Sequence, residues 1–445
     1  MNMTAISLRS ALQCLPDNAQ EPIVDLHFST QLLEALGFQP EEIHPQYATG
    51  SKMVVDKAAR KTIGNDIFLH TKSNPYLLVE LKGRDINLSE GSAQYHKTVN
   101  QLKGYLLDSN CKSAQWGIIT NSCHIQLFRK HGKVVYPATK CLSLDLDNID
   151  EIVADIRRKI ETPTKALTIA VYNNKGGVGK ATTAVNLAAI LTFLGKKVLA
   201  VDFDPNQQDL TSSLKLAVSK GNVYKALSDR DIELLNTVCP YSFPLKSGNA
   251  ELRFDVLPAD EEMASLTDDS LLKQFKRNRL YQKLNTARQK YDYILIDSPP
   301  NWRHISQLAV YAADVVLIPT KHNNLFSLEN AATVIKRFIP EIQAQKANGS
   351  PIPLPIFFNG EKITQPQLLV AQQEINNIIK AAKQEKIDLL PYFYPRHTSA
   401  KDLHIHQVPS YANIASAAFS RVPAVYRDRS AHEYYKDLAK EYFLQ

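Results

Sequence analysis

Residues 173–183 read Asn-Asn-Lys-Gly-Gly-Val-Gly-Lys-Ala-Thr-Thr, a glycine-rich stretch with two lysines five positions apart. It follows an apolar run over residues 166–172 and precedes a helical pattern of apolar residues that starts at Ala184. The stretch is therefore predicted to connect a strand to a helix, where backbone N–H groups and the positive end of the helix dipole converge on an anion. Glycines permit the backbone angles and the close approach that a wrapped phosphate needs. The pattern predicts a phosphate-binding loop.

Lys180 stands where the P-loop pattern G-x-x-x-x-G-K-[ST] has its lysine, which reaches the β- and γ-phosphates of a nucleotide. Asn174 replaces the first glycine of that pattern, and Ala181 replaces the Ser or Thr whose hydroxyl normally binds Mg²⁺. The next hydroxyl lies about 100° further round the helix and points elsewhere. The residues predicted to bind the nucleotide are Asn174, Lys175, Gly176, Gly177, Val178, Gly179, Lys180, Ala181 and Thr182.

The sequence Lys-Gly-Gly-Val-Gly-Lys resembles the deviant Walker A motif of the ParA/MinD family of P-loop ATPases. The resemblance covers residues 166–445 and implies an α/β fold with a mostly parallel sheet, with ATP and Mg²⁺ as cofactors. In that family the first lysine, here Lys175, contacts phosphate across a nucleotide-sandwich dimer. The implied partners are a second copy on ATP binding, DNA bound non-specifically and a ParB-like adaptor protein.

Further polar residues follow predicted strands in this region, where open parallel sheets place their ligands. Asp202-Phe-Asp204-Pro resembles the family's D-x-D-P-Q switch segment, in which the Asp before Pro, here Asp204, helps to position the attacking water. Asp297 follows the apolar residues 293–296 and resembles the Walker B residue that holds Mg²⁺ through water. Asp202 is a second candidate metal ligand. Asn359 is placed like the adenine-reading Asn of relatives.

Composition indicates the class of protein. A chain of 445 residues predicts two or three domains. Hydrophobic content of 44% and charged content of 22% are typical of a soluble globular protein. The cysteines form no C-x-x-C pair, which fits reduced thiols, and we find neither a signal peptide nor an apolar run of membrane-span length. The protein is therefore expected in the cytoplasm and not at a membrane, and the family resemblance, with its non-specific DNA binding, implies association with the nucleoid.

The first 150 residues are predicted to form a separate domain. A helix and linker over residues 151–165, with breaker residues at its end, join it to the P-loop domain of residues 166–445. Within the first domain the apolar pattern predicts helices over residues 23–36 and 99–107 and strands over residues 66–70, 76–81, 115–120 and 124–128.

Two of these strands carry the candidate chemistry of the domain. Alternation places Glu80 and Lys82 on one face, and a hairpin can bring Asp66 beside them. Two carboxylates and a lysine can hold Mg²⁺ and orient water for phosphodiester cleavage. The arrangement resembles the PD-(D/E)xK nuclease core, and Gln101-Leu-Lys-Gly-Tyr105 resembles the Q-x-x-x-Y element in R subunits of type I restriction enzymes. The resemblance implies a restriction-endonuclease-like α/β domain with Asp66 and Glu80 as metal ligands and Lys82 and Gln101 in catalysis.

Weaker signals and their ordinary explanations also bear on function. An exposed Glu-x-Lys is a common solvated strand edge, and a nuclease-like domain can survive as a shell that binds nucleic acid. Glu21 is placed like the helix-borne acid of such domains. The basic residues in the region where relatives bind DNA, which a solvated surface explains equally well, are Arg396, Lys401, Arg421, Arg427 and Arg429.

Three functions remain open from the sequence. The first is a partition ATPase that dimerises on ATP, binds DNA non-specifically and segregates a plasmid or chromosome locus. The second is an ATP-gated, Mg²⁺-dependent DNA endonuclease in defence against foreign DNA. The third is a nucleotide-switched DNA scaffold with little catalysis, an alternative that Ala181 keeps open because it weakens the metal site.

Overall fold

The structure, a computed structural model, describes residues 7–244, 251–396, 403–409 and 420–445, and it divides into two compact units. The N-terminal unit comprises Met1–Pro163 with residues 347–349 and 443–445, and the C-terminal unit comprises Thr164–Lys346 and Ser350–Tyr442. Among the described residues, no helix combines the length and the apolar character that crossing a membrane requires.

A mixed seven-stranded sheet forms the centre of the N-terminal unit. Its strands β1 to β7 are Ile43–Ala48, Val54–Ala59, Leu77–Leu81, Trp116–Thr120, His124–His131, Val134–Pro137 and Leu142–Ser143. They lie in the order β1-β2-β3-β4-β5-β6, with β7 also paired to β5. Strands β3 and β4 are parallel, and the other neighbours are antiparallel. The chain thus forms three antiparallel strands, crosses over through a helix and returns parallel to β3.

Helices cover both faces of this sheet. Its α-helices are Leu8–Gln13, Glu21–Val24, Thr30–Ala35, Phe68–Thr71, Ala93–Leu107 and Ile149–Glu161, and a π-helical turn, Asp25–Ser29, joins the second to the third. Side chains alternate between two cores along β3, because successive strand residues point to opposite faces. Leu77 and Val79 pack with the helices Leu8–Gln13 and Ile149–Glu161. Leu78 packs with the helix Ala93–Leu107 on the other face.

One predicted strand of this unit is wrong. Residues 66–70 do not form a strand, since Phe68–Thr71 is a short helix that ends where Lys72 adopts a left-handed backbone with φ 52°. Phe68 is buried, but Leu69 is 37% exposed, so the apolar run there does not face a core on two sides. The strand that precedes β3 is β2, Val54–Ala59, whose central acid and lysine obscure its apolar pattern.

A second sheet, mostly parallel, forms the centre of the C-terminal unit, as the sequence predicted. The strands β8 to β17 are Leu167–Val171, Val198–Asp202, Cys239–Pro244, Glu251–Leu257, Tyr293–Asp297, Val315–Leu317, Pro319–Thr320, Ile352–Pro353, Phe357–Gly360 and His406–Pro409. Seven lie in the order β10-β11-β9-β12-β8-β13-β15, where β10 is antiparallel to β11 and the other pairs are parallel. The parallel strands β14, β16 and β17 form a smaller sheet.

Helices flank these strands and bury them from both sides. The α-helices are Lys180–Phe193, Asp209–Ser213, Asn222–Ser228, Glu261–Ala264, Asp268–Gln274, Arg279–Lys283, Asn285–Lys290, His304–Ala312, Leu325–Thr333, Ile339–Gln345, Gln365–Gln384, Leu390–Phe393 and Arg429–Tyr442. Every residue of β8, β9 and β12 is buried, which explains why these strands read as continuous apolar runs.

The register of the central strands positions the candidate site. Asp297 at the end of β12 lies opposite Val171 of β8 on one side and Asp202 of β9 on the other. The three carboxyl ends therefore meet at one edge of the sheet, and the glycine-rich loop leaves β8 at that same edge.

Candidate functional site

The glycine-rich loop leaves open space beside its backbone. Gly177 and Gly179 adopt the left-handed conformation, with φ of 72° and 83°, which favours glycine. A β-carbon at Gly176 or Gly177 would meet no atom within 4 Å, whereas one at Gly179 would come within 2.3 Å of the amide nitrogen of Asn359. The first part of the loop is thus open to a ligand, and its last glycine is required by a neighbouring side chain.

Asn359, on β16 of the smaller sheet, holds the loop by hydrogen bonds. Its Nδ2 donates to the carbonyl oxygens of Val178 and Gly179, at 2.9 and 3.3 Å, and to Oγ1 of Thr183 at 3.2 Å. The donor half of the amide is therefore committed to the loop backbone and the first helical turn. That Asn359 reads adenine stays a prediction.

Lys180 is buried at the first position of its helix, beside several carboxylates. Burial lowers the pKa of Lys180, and the nearby Asp297 and Asp204 oppose that effect. Burial, together with the adjacent Asp202, raises the pKa of Asp297 well above its usual range. Oδ1 of Asp297 is buried and has no hydrogen-bond partner within the described ranges. Such an orphaned oxygen is costly unless a proton, water or metal-bound water reaches it, so this edge of the sheet is suited to a polar ligand.

Asp202 and Asp204 organise the segment that follows β9. Oδ2 of Asp202 accepts from the backbone N and the hydroxyl of Thr211, at 2.8 and 2.6 Å, and Oδ1 accepts from the backbone N of Asp204 at 3.3 Å. Burial raises the pKa of Asp202 to about 6 and also raises that of Asp204, whose Oδ1 accepts from the backbone N of Gln207. Both oxygens of Asp202 are occupied by donors, which leaves Asp297 as the carboxylate better placed for a metal.

The residues fit a metal that is held jointly with a nucleotide. In the part of the chain that the structure describes, no group of three or more His, Cys, Asp or Glu side chains is arranged to hold a metal ion. Mg²⁺ in nucleotide sites is usually held by one or two carboxylates, water and substrate phosphates rather than by a cage of side chains. The orphaned oxygen of Asp297 and the open loop match that requirement.

Lys175 lies beside an aromatic ring. Its Nζ is 6.0 Å from the centroid of the Phe326 ring. The preceding Asn174 donates through Nδ2 to Oδ1 of Asn330 at 3.1 Å and accepts from the Tyr172 hydroxyl at 3.0 Å. Ala181 is half-buried and Thr182 is exposed. Sequence reasoning missed Phe326 and Asn330, which lie about 150 residues away in the chain and carry no motif.

A second cluster of charged residues lies in the N-terminal unit. Nζ of Lys82 is 2.6 Å from Oε1 of Glu80 and 3.3 Å from Oε2 of Glu21. Oδ2 of Asp56, on β2, accepts from the backbone N of Leu81 at 2.7 Å. Burial, and next the negative charge of Asp56, raise the pKa of Glu80 to about 7. Oε2 of Glu80 is buried without a hydrogen-bond partner among the described residues, so it too can accept a proton, water or cation.

The prediction that Asp66 joins Glu80 and Lys82 is wrong. Arg60 binds both oxygens of Asp66, at 2.8 and 2.9 Å, and these hydrogen bonds lower the pKa of Asp66. The acid that the sheet brings to Glu80 is instead Asp56, because β2 is the antiparallel neighbour of β3. The missed signal was an acid in the middle of the short apolar run Val-Val-Asp-Lys-Ala-Ala at residues 54–59.

The Q-x-x-x-Y element lies on the helix Ala93–Leu107 of the same unit. Nε2 of Gln101 donates to the hydroxyl of Tyr105, one helical turn later, at 2.6 Å. Burial raises the pKa of Tyr105, and the charges of Glu80 and Asp56 contribute to that shift. Electrostatics thus place the Gln101–Tyr105 pair near the charged cluster.

The basic residues of the C-terminal third differ in their surroundings. Arg421, Arg427 and Arg429 are exposed. Arg396 forms an ion pair with Glu441. Lys401 lies outside the described residues.

The comparison with family models concerns the C-terminal unit. Residues 166–350 match a family model described as an AAA domain. The sporulation initiation inhibitor protein Soj of Bacillus subtilis is 36% identical over 156 residues, which are 34% of this chain and 57% of that protein. The chromosome partitioning protein ParA of Myxococcus xanthus is 38% identical over 156 residues, which are 34% of this chain and 50% of that protein.

A solved structure of a Cyanothece McdA–ATP complex is 18% identical and covers 62% of this chain and 96% of its own, with a TM-score of 0.47. The chain spans roughly half to two thirds of the length of the curated relatives it matches. These two relatives, named Soj and ParA, agree with the ParA/MinD resemblance of the glycine-rich loop. The family match starts at residue 166, after the N-terminal unit.

Proposed function

We propose that the protein is a ParA-like ATPase that dimerises on ATP, binds DNA non-specifically and acts in the partition of a plasmid or chromosome. The observation that carries this proposal is that buried Lys180 and buried Asp297 lie at the sheet edge from which an open glycine loop leaves, and that this loop bears a second lysine, Lys175. Similarity to relatives whose names describe chromosome partitioning supports the biological role.

Each residue of the edge has a role in this proposal. The loop N–H groups and Lys180 bind the β- and γ-phosphates, since a buried cation in a site of low polarity attracts anions strongly. Asp204 orients the attacking water, and Asp297 would hold Mg²⁺ through water. Mg²⁺, when bound, neutralises charge on the transferring phosphoryl group. Lys175 contacts the phosphates of a second copy, so that ATP joins two protomers.

Binding of DNA and of an adaptor belongs to the dimer in this proposal. Exposed basic residues such as Arg421, Arg427 and Arg429 suit contacts with DNA phosphates that do not depend on sequence. A ParB-like adaptor protein is proposed as a partner, and the expected location is the cytoplasm, on the nucleoid.

The role of Lys175 predicts a loss of dimerisation on its removal. In light scattering with a non-hydrolysable ATP analogue, the wild type should shift from monomer towards dimer, and Lys175→Ala should stay monomeric. Lys383→Ala, which removes an exposed lysine from another helix, is the matched control and should behave as the wild type. A dimer of equal strength without nucleotide, or in Lys175→Ala, would contradict the proposed switch.

Ala181 predicts slow turnover and a long-lived ATP-bound state. Its methyl group supplies no oxygen to Mg²⁺, which can take a water instead at some cost in transition-state stabilisation. Ala181→Thr should therefore raise the steady-state ATPase rate several-fold at saturating Mg²⁺ while changing ATP affinity little. Ala181→Val, which adds similar volume without the hydroxyl, should not raise the rate. Equal rates in the wild type and Ala181→Thr would show that the metal is held adequately without this hydroxyl.

A second candidate function is Mg²⁺-dependent DNA cleavage by the N-terminal unit, gated by ATP in the C-terminal unit. The favouring observation is the cluster of Asp56, Glu80 and Lys82, in which a buried oxygen of Glu80 lacks a partner within the described residues. The order of three antiparallel strands, a helix and a parallel strand supports the resemblance to the PD-(D/E)xK core. In this alternative Asp56 and Glu80 hold the metal, and Lys82 orients the water. A scaffold with neither activity is the remaining alternative.

The assignment of Asp56, in place of Asp66, to the charged cluster makes the nuclease alternative testable. If the wild type nicks supercoiled or linear DNA with Mg²⁺ or Mn²⁺, Asp56→Asn should abolish cleavage, because the amide is a poor metal ligand yet can still accept from Leu81. Asp66→Asn is the matched control and should retain cleavage, since Asp66 is bound by Arg60. Thermal melting of both variants checks folding. Cleavage that Asp66→Asn abolishes and Asp56→Asn spares would refute the assignment, and no cleavage by the wild type would leave a binding shell.

A further inference from the structure

The helix Leu325–Thr333 contacts three consecutive residues of the glycine-rich loop. Nδ2 of Asn173 donates to the carbonyl oxygen of Ser327 at 3.1 Å, and Nδ2 of Asn174 donates to Oδ1 of Asn330 at 3.1 Å. The next residue, Lys175, has its ammonium group over the Phe326 ring. The part of the loop that departs from the ordinary P-loop pattern is thus bound by one helix.

These contacts form a connected network rather than separate pairs. Nδ2 of Asn330 also donates to the carbonyl oxygen of Phe326 at 2.7 Å. Asn330 therefore links the Asn174 side chain to the backbone that carries the aromatic ring. One side chain thus connects the loop to the helical turn that bears the ring.

Phe326 is exposed although it is a large apolar residue. Its side chain is 65% accessible on the first turn of its helix, so burial in a core does not explain its position. The ring is close enough to Lys175 for a cation–π interaction, which reaches to about 6 Å from the ring centroid. A lysine side chain has four rotatable bonds. If the ring restricts the side chain of Lys175 beforehand, less conformational entropy is lost when the ammonium group binds phosphate.

We propose that Phe326 is a positioning residue for Lys175: its ring holds the lysine outward, ready to engage the phosphates of a second copy. The inference rests on the proposed role of Lys175 across the dimer and deepens it. Phe326 itself need not contact the nucleotide. Phe326 acts through the ammonium group of Lys175. Asn330 connects the loop to the helical turn that carries the ring.

The interaction can be measured as a double-mutant cycle on the ATP-analogue-bound dimer, using sedimentation velocity on the full chain. Phe326→Leu keeps an apolar side chain and removes the aromatic face, so it should weaken the dimer about threefold, the range of an exposed cation–π contact. Phe326→Tyr keeps the face and should restore wild-type dimerisation. At protein concentrations high enough for Lys175→Gln to populate a weak dimer, the further change Phe326→Leu in that background should have no effect.

Each outcome separates this inference from the proposed function. If Lys175→Gln dimerises as the wild type does, the role of Lys175 across the dimer is wrong. If Lys175→Gln weakens the dimer but Phe326→Leu does not, or tightens it, the positioning role alone is overturned. An equal loss from Phe326→Leu with and without Lys175 would also overturn it, because the ring would then act by covering apolar surface. Because Phe326 is exposed, its substitution should leave the fold intact, and a melting curve of each variant tests this.

Discussion

The burial of Lys180 beside Asp297 is the interaction on which the candidate site depends. A cation and several carboxylates at the ends of the three fully buried strands β8, β9 and β12 are costly to remove from water. Burial lowers the pKa of Lys180 and raises that of Asp297, because it disfavours the charged form of each side chain. A ligand that brings negative phosphate to the lysine and a cation to the carboxylate would stabilise both charged forms. The loop is also held from outside by hydrogen bonds, from Asn359 and from the helix Leu325–Thr333.

Much of the C-terminal unit was predictable because its signals are local. Parallel strands buried on both faces read as apolar runs, and a glycine-rich turn between such a run and a helix has few structural interpretations. The residues that hold the loop were not predictable. Asn330 and Phe326 have ordinary side chains on an ordinary helix, and only the tertiary fold brings them to Asn174 and Lys175.

The N-terminal unit shows how a correct motif can be completed with the wrong residue. Glu80 and Lys82 do meet: Glu80 lies on β3, Lys82 follows the strand directly, and Nζ of Lys82 is 2.6 Å from Oε1 of Glu80. The error lay in the third residue, because an apolar run near Asp66 was read as a strand. Strand pairing is non-local, and the sequence does not say which short run lies beside β3. Asp56 follows from the register of β2, in which Lys57 pairs with Val79.

The central claim is that this edge of the sheet binds nucleoside triphosphate through Lys180. Calorimetric titration of the full chain with ATP and Mg²⁺, on the wild type and Lys180→Ala, tests it most directly. The account predicts binding by the wild type and a loss of affinity of about tenfold or more in Lys180→Ala, as expected for a charge-assisted phosphate contact. The exposed control Lys273→Ala should bind as the wild type does. Equal affinity in the wild type and Lys180→Ala, or no binding by the wild type, would contradict the account.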